Sequence, residues 1–281
     1  MWKVRYYVPL IGFVVPTLVI GYGFVIPCSC IAGVNELSVG FGSTVLGAVF
    51  AYLGGIRAAT VSACPIRVPW RTRFARYVNR QASRPEGLFG RMLGLIWTFE
   101  HRRTNERTLA LLEIAPADRV LEIGSGPGLG LREAARRAPD GHVTGLDVSS
   151  AMVAMAQRMN RRAVRAGRVE LSLLDGPELG LPEASYDRAF SVHCLYFWSD
   201  PVRVLSEVAA SLRPGGRFVL TARPDTSDLP ARFRDPSYRL YSVPEMERLL
   251  RAAGFDAVRV VADDRSPLVS LVAERRGGET P

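Results

Sequence analysis

The sequence predicts an α/β fold: a mostly parallel sheet with helices on both faces, preceded by two membrane-crossing helices. Three observations carry this. Two long uncharged runs are confined to the first sixty-odd residues, short apolar strands alternate with helical stretches after Ala117, and a glycine-rich turn sits directly behind the first of those strands. With 48% hydrophobic residues in 281, the chain can build a sizeable core, which excludes a disordered protein. The four cysteines, Cys28, Cys30, Cys64 and Cys194, are too few and too scattered for a disulfide scaffold or a paired zinc site, so no metal is expected.

The first region, residues 1–63, reads as a helical hairpin. "YYVPLIGFVVPTLVIGYGFVI", Tyr6–Ile26, holds no charge and as a helix would span roughly 30 Å, the thickness of a hydrocarbon core. Ser38–Ile56 is uncharged too, and the link between the runs carries only Glu36. Ser43, Gly47, Ala51 and Gly55 recur every fourth residue, a small-residue stripe on which the first helix can dock closely. Lys3 and Arg5 precede the hairpin and Arg57, Arg67, Arg71 and Arg73 follow it, which places both ends and everything downstream in the cytoplasm. A signal peptide fits less well, since the apolar stretch is long and no small-x-small cleavage site follows. A buried soluble hairpin stays open as the bland alternative.

Residues 64–116 form a basic amphipathic linker with helices. Ten arginines lie between Pro65 and Arg107 against Glu86, Glu100 and Glu106, so this segment supplies +7 of a net charge of +9. Trp70, Phe74 and Tyr77 share a helical stripe beside Arg73, Arg76 and Arg80. Aromatics beside arginines suit a helix at lipid headgroups, and they equally suit a solvated helix packing its rings on the following domain. A charge run alone does not single out nucleic acid, which is not an expected partner.

From residue 117 to 281 the strand candidates are Arg119–Ile123, His142–Leu146, Val169–Leu174, Arg188–Val192 and Arg217–Ala222, with helices such as Ser150–Ala163 and Val202–Leu212 between them. Ligands in such sheets sit at the carboxyl ends of the strands, where a glycine turn brings backbone amides and a helix N-terminus together. The turn "LEIGSGPGLG" places glycines at 124, 126 and 128 behind Glu122. Dinucleotide spacing would need glycine at 129, which is Leu129, so a nicotinamide oxidoreductase is disfavoured.

"LEIGSGPG" resembles motif I of the class I S-adenosylmethionine-dependent methyltransferases, and the resemblance continues in order along the chain. "VTGLDVSSAMVAMA" is similar to the family's second strand, "VELSLLDGPELGLPEASYDRAFS" to its third and the opening of its fourth. "VLSEVAASLRPGGRFVLTA" resembles its L-R-P-G-G turn and fifth strand, and the last hundred residues end in what looks like its closing antiparallel pair. The nearest flavour is the ubiquinone- and menaquinone-biosynthesis type. The resemblance implies a Rossmann-like seven-stranded sheet and S-adenosyl-L-methionine as cofactor. Gly124, Ser125, Gly126 and Gly128 would approach its methionine end, Glu122 its amino group, Asp147 with Val148 its ribose, and Asp175 with Gly176 its adenine. Glu122 can also be read as purely structural.

Methyl transfer needs alignment of nucleophile, methyl and sulfur and exclusion of water, so no fixed triad is expected. "SVHCLYFWSDP" lies where this family's acceptor meets the methyl group. His193 there is a candidate base, or else a pocket wall, and Tyr196 joins it as a candidate catalytic residue. Tyr196, Phe197 and Trp198 suit a flat or lipophilic acceptor. Met152, Met155 and Met159 read as core. The expectation is therefore a membrane-anchored bacterial methyltransferase acting on a lipophilic small molecule. A non-catalytic cofactor-binding membrane module and an enzyme with a soluble acceptor are the rivals.

Overall fold

The computed structural model describes residues 69–277, apart from 227, 230, 264 and 265. The expected hairpin, with its runs at Tyr6–Ile26 and Ser38–Ile56 and its stripe from Ser43 to Gly55, lies outside the described residues. Among the described residues no helix is long and apolar enough to cross a membrane.

Among the described residues three helices precede the sheet: α1 (Pro69–Ser83), α2 (Gly87–Glu100) and α3 (Arg102–Leu112). The sheet then builds as β1 (Arg119–Ile123), α4 (Leu129–Arg137), β2 (His142–Asp147), α5 (Ser150–Met159), α6 (Arg161–Arg165), β3 (Val169–Leu173), β4 (Tyr186–Val192), α7 (Pro201–Ser211), β5 (Leu212–Ala222), α8 (Val243–Ala252), β6 (Phe255–Asp263) and β7 (Ser266–Arg275). The strand order is β3-β2-β1-β4-β5-β7-β6, seven strands, with β7 antiparallel to both neighbours. The chain order reverses between β1 and β4, with Ile123 beside Leu146 on one side and Ser191 on the other. That reversal opens a crevice at the carboxyl ends of the strands.

Strand alternation sorts the core into two layers. Leu121, Ile123, Phe218 and Leu220 face one side with α7 and α8, while Val120, Phe190, Val219 and Val272 face the other with α3 and α4. The segment read as a linker supplies part of that second layer. Leu109 and Leu112 of α3 are completely buried there, and Thr108 joins Thr221 (2.7 Å) and Ser270 in a buried chain of hydroxyls. α2 turns Gly90, Leu93 and Gly94 inward, and a Cβ at Gly94 would stand 2.9 Å from Met152 and 3.0 Å from Met155, so Met152 is a core residue and Met155, partly buried, packs with it against the glycine, while Met159 is only partly buried. Of the expected aromatic stripe, Tyr77 contacts Phe89 of α2 with ring centroids 5.3 Å apart, and the side chains of Trp70 and Phe74 lie outside the described residues.

Several boundaries differ from the sequence reading. The helix expected over Ser150–Ala163 breaks at Asn160, whose Nδ2 donates to the carbonyls of Ala156 and Gly128 and so competes with the helix's own pattern. α7 starts one residue early because Asp200 caps it, accepting the Arg203 amide, and Pro201 takes the first turn. β5 begins at Leu212 and absorbs the Pro-Gly-Gly turn, with an irregularity opposite Tyr186 and Arg188.

If α3 belongs to the core, Leu109→Ala should destabilise the chain by about 2–5 kcal/mol, read as a lower denaturant midpoint with unchanged slope. An unmoved midpoint would return α3 to the status of a linker.

Candidate active site

The glycine turn is held from the neighbouring strand. The amides of Gly124 and Ser125 both donate to the Leu146 carbonyl, at 2.8 and 3.0 Å, and the Gly126 amide donates to Asp147 Oδ2 at 2.7 Å. Gly124, Gly126 and Gly128 all have positive φ. At Gly124 (φ 77°) a Cβ would stand 2.1 Å from Cys194 Sγ, so both backbone and space demand glycine. At Gly126 (φ 52°) a Cβ would have nothing within 4 Å, because that side of the turn opens outward. The turn is thus packed against protein at one glycine and open at the next.

Two buried carboxylates underlie it. Asp147 uses its other oxygen to accept the Ser149 amide at 2.8 Å, and burial raises its carboxyl above the usual range against the opposing pull of those amides. Glu122 is more extreme. Burial, reinforced by the charge of Asp147, pushes it well above the carboxylate range, and one backbone amide, that of Leu131, opposes the shift. Its Oε2 has no hydrogen-bond partner, nor has the buried Oγ of Ser125. Gly130 allows this carboxylate its position, since a Cβ there would meet Glu122 Oε1 at 2.3 Å. Buried polar atoms without partners beside an open turn are what a ligand's ammonium and carboxylate would satisfy. The residues present therefore fit the methionine end of S-adenosylmethionine.

The end of β4 adjoins this turn. Cys194 packs its sulfur on Gly124, and burial with the nearby Asp147 charge pushes the thiol up to about 12, so it remains protonated. His193 precedes it at φ 61°, a backbone state that costs a non-glycine residue about 1–2 kcal/mol and persists because the His193 amide is pinned to the Thr221 carbonyl at 2.9 Å. Its Nδ1 lies 3.0 Å from the Tyr196 hydroxyl, and that oxygen also accepts the Arg223 amide at 2.7 Å. Burial raises the phenol above its ordinary value, so Tyr196 stays protonated and can either donate to His193 Nδ1 or accept from it, according to the imidazole tautomer. The His101 ring, at the α2–α3 junction, stands 4.5 Å from His193 between centroids. Beyond Tyr196 a cleft of about 390 Å³ is lined by Trp198, Ser199, Ser237, Arg80 and Arg239.

The structure brings Glu122, the three glycines, Ser125, Asp147, His193 and Tyr196 to one end of the sheet. Val148, partly exposed, follows Asp147 at the mouth. Asp175 and Gly176 lie exposed in the loop after β3, whose start is fixed by the Leu174 amide on the Asp147 carbonyl. Sequence reasoning missed Cys194, Asn160, Asn105 and His101. Asn160 bonds the Gly128 carbonyl at 3.0 Å from thirty-two residues away, and Asn105 Oδ1 lies near Gly130, buried without a partner. Cys194 lies inside the segment read as the acceptor side without being singled out there, and the other three sit in no recognisable motif.

Residues 121–220 match the methyltransferase-domain family model. A methyltransferase of Bacillus subtilis without assigned substrate is 29% identical over 181 residues, covering 64% of this chain and 94% of that protein. A demethylmenaquinone methyltransferase of Tropheryma whipplei is 32% identical over 146 residues, 52% of this chain and 57% of its own length. The chain thus spans nearly all of the first relative and little more than half of the second. Among solved structures, an S-adenosylmethionine-dependent methyltransferase from Aquifex aeolicus superposes with a TM-score of 0.52 at 22% identity, over 60% of this chain and 88% of that one, a likeness of fold.

The two glycines should separate folding from binding. Gly124→Ala is expected to lower thermal stability and abolish cofactor binding, because its Cβ collides with Cys194. Gly126→Ala should cost about 1–2 kcal/mol of backbone strain yet weaken cofactor binding, since its methyl enters open space beside the turn. Calorimetric titration with S-adenosylhomocysteine and thermal unfolding of both variants check this, and equal stability losses would refute the distinction.

Proposed function

The chain carries a class I S-adenosylmethionine-dependent methyltransferase domain, and on that premise we propose that it methylates a lipophilic, membrane-associated small molecule at the cytoplasmic face of a bilayer. One observation carries the siting of the chemistry: the unpartnered Glu122 Oε2 and Ser125 Oγ beside the open glycine turn adjoin, through Cys194, the His193–Tyr196 pair. S-adenosylmethionine supplies an electrophilic methyl group on a sulfonium. Glu122 and Ser125 hold its methionine end, Gly126 leaves room for it, and Asp147 meets the ribose hydroxyls with the acceptor sites that its two amide bonds leave over. Asp175 and Gly176 border the adenine.

On the acceptor side, Tyr196 orients His193. In the tautomer that donates Nδ1–H to the Tyr196 oxygen, the imidazole presents its Nε2 lone pair to an acceptor proton, the general-base role typically worth about 10²–10⁴ in rate. Phe197 packs on Tyr238 with ring centroids 5.2 Å apart, Trp198 packs against the same core, and this aromatic wall suits a flat ring. Support for the membrane setting comes from the two uncharged runs and the ten arginines that follow them. The methyl acceptor named for the Tropheryma relative, a menaquinone precursor, is an acceptor of this kind.

A soluble acceptor is the second reading, and the cleft beyond Tyr196 favours it. Arg80 and Arg239 with Ser199 and Ser237 are polar groups suited to an anionic small molecule.

Two outcomes are expected. Membrane lipids and quinones from cells lacking the gene should contain a species lighter by one CH₂, detected by mass spectrometry; a shift confined to water-soluble metabolites would move the assignment to the second reading. Cofactor binding should also depend on pH through Glu122. Its raised pKa leaves it neutral above the ordinary carboxylate range, so the stabilisation of Tm by S-adenosylmethionine should shrink as pH falls through that raised range. Glu122→Gln should flatten the dependence, and an unchanged pH profile in that variant would remove Glu122 from the ligand's ammonium.

A further inference from the structure

α2 has two unlike faces. Its inward residues Gly90, Leu93 and Gly94 seat it on α5, and Trp97 and His101 lead from the same side to His193. At 3.6 residues per turn, Leu88, Met92, Leu95 and Phe99 fall within about 60° of arc on the other side. Leu88 is 83%, Leu95 57% and Phe99 81% exposed. Three large apolar side chains this exposed on one helix of a folded domain exceed the scattered exposure that any surface shows. Arg91 lies at the edge of the stripe and Arg103 just past the helix end, while Arg84 and Arg102 at the two ends are ion-paired with Glu86 (3.6 Å) and Glu106 (2.9 Å).

We infer that this outward face of α2 is a docking face for a bilayer surface bearing anionic headgroups. An apolar stripe with a rim of arginines is the composition of a helix lying in a headgroup plane, its side chains reaching the acyl boundary while the guanidiniums meet phosphate. Position decides for lipid over a second copy of the chain, since the second uncharged run ends at Ile56, about a dozen residues before α1 begins. The face builds on the membrane reading above and adds to it a specific surface: one helix presents its outer side to lipid and its inner side to the candidate base, so an acceptor leaving the bilayer would arrive beside His193.

The full chain is placed in nanodiscs with the photoreactive residue p-benzoylphenylalanine at Phe99 or, as control, at the exposed Arg136 of α4. Lipid adducts are counted by mass spectrometry in phosphatidylglycerol and phosphatidylcholine discs. Position 99 should yield lipid adducts and position 136 should not. The yield at 99 should be about fivefold higher on phosphatidylglycerol, the gain expected for one engaged arginine, and this excess should vanish in high salt. Equal yields at the two positions, or adducts of position 99 to a second copy or to residues 1–68, would overturn the inference. A Leu88→Gln/Phe99→Gln chain serves as the second test: it should keep the wild-type dissociation constant for S-adenosylhomocysteine while its turnover on membrane extract falls. Wild-type turnover in that variant would overturn the docking face, whereas failure of the wild type to bind cofactor would strike the methyltransferase reading alone.

Discussion

The 2.7 Å bond from the Gly126 amide to Asp147 joins the glycine turn of the first strand to the end of the second. A turn with three residues at positive φ would be a poor platform by itself. Here its amides are taken up by the Leu146 carbonyl and the Asp147 carboxylate at the end of the adjacent strand, and its inner side is stopped by Cys194 just past the end of β4. The turn is therefore fixed on two sides by the two strands that flank β1, and it stays open on the third. Everything proposed for the ligand depends on that arrangement.

The electrostatic cost of the arrangement is visible in the same residues. Two carboxylates are buried within reach of one another, both raised, and one of them keeps an oxygen without a partner. An isolated protein gains nothing from such a pair, since buried charge without a counter-ion is disfavoured. A cationic ligand reverses the sign of the effect, because the field that resists ionisation in its absence becomes attraction in its presence. Sites that are unfavourable when empty are where function concentrates.

α2 links this site to the surface. Its glycines let it lie close on α5, its C-terminal His101 reaches the ring of His193, and the residues left over on its outer side are apolar. A helix that serves only to cover a sheet would carry polar residues there. That it does not connects the two halves of the sequence reading, the basic apolar N-terminal part and the catalytic part, through one element.

Much of this was legible in the residues. The alternation of strands and helices, the glycines at 124, 126 and 128, and the acids at 122 and 147 are local patterns, set by backbone geometry and strand period, and a linear reading finds them. Asn160 illustrates what a linear reading cannot find. Its side chain breaks a helix and braces a carbonyl thirty-two residues upstream, and nothing near it in sequence announces either. Likewise α3 reads as part of a basic linker, because its arginines dominate its composition, while Leu109 and Leu112, spaced for a single buried face, carry its place in the core. The sequence by itself determined the class of fold, the turn and the kind of ligand the turn admits, since those follow from short-range chemistry. Only the tertiary structure decided that one oxygen of Glu122 is left without a partner, that His193 is poised between Tyr196 and His101, and that α2 faces outward with leucine and phenylalanine. Burial and partnership are set by residues far away in the chain, and they exist only once it is folded.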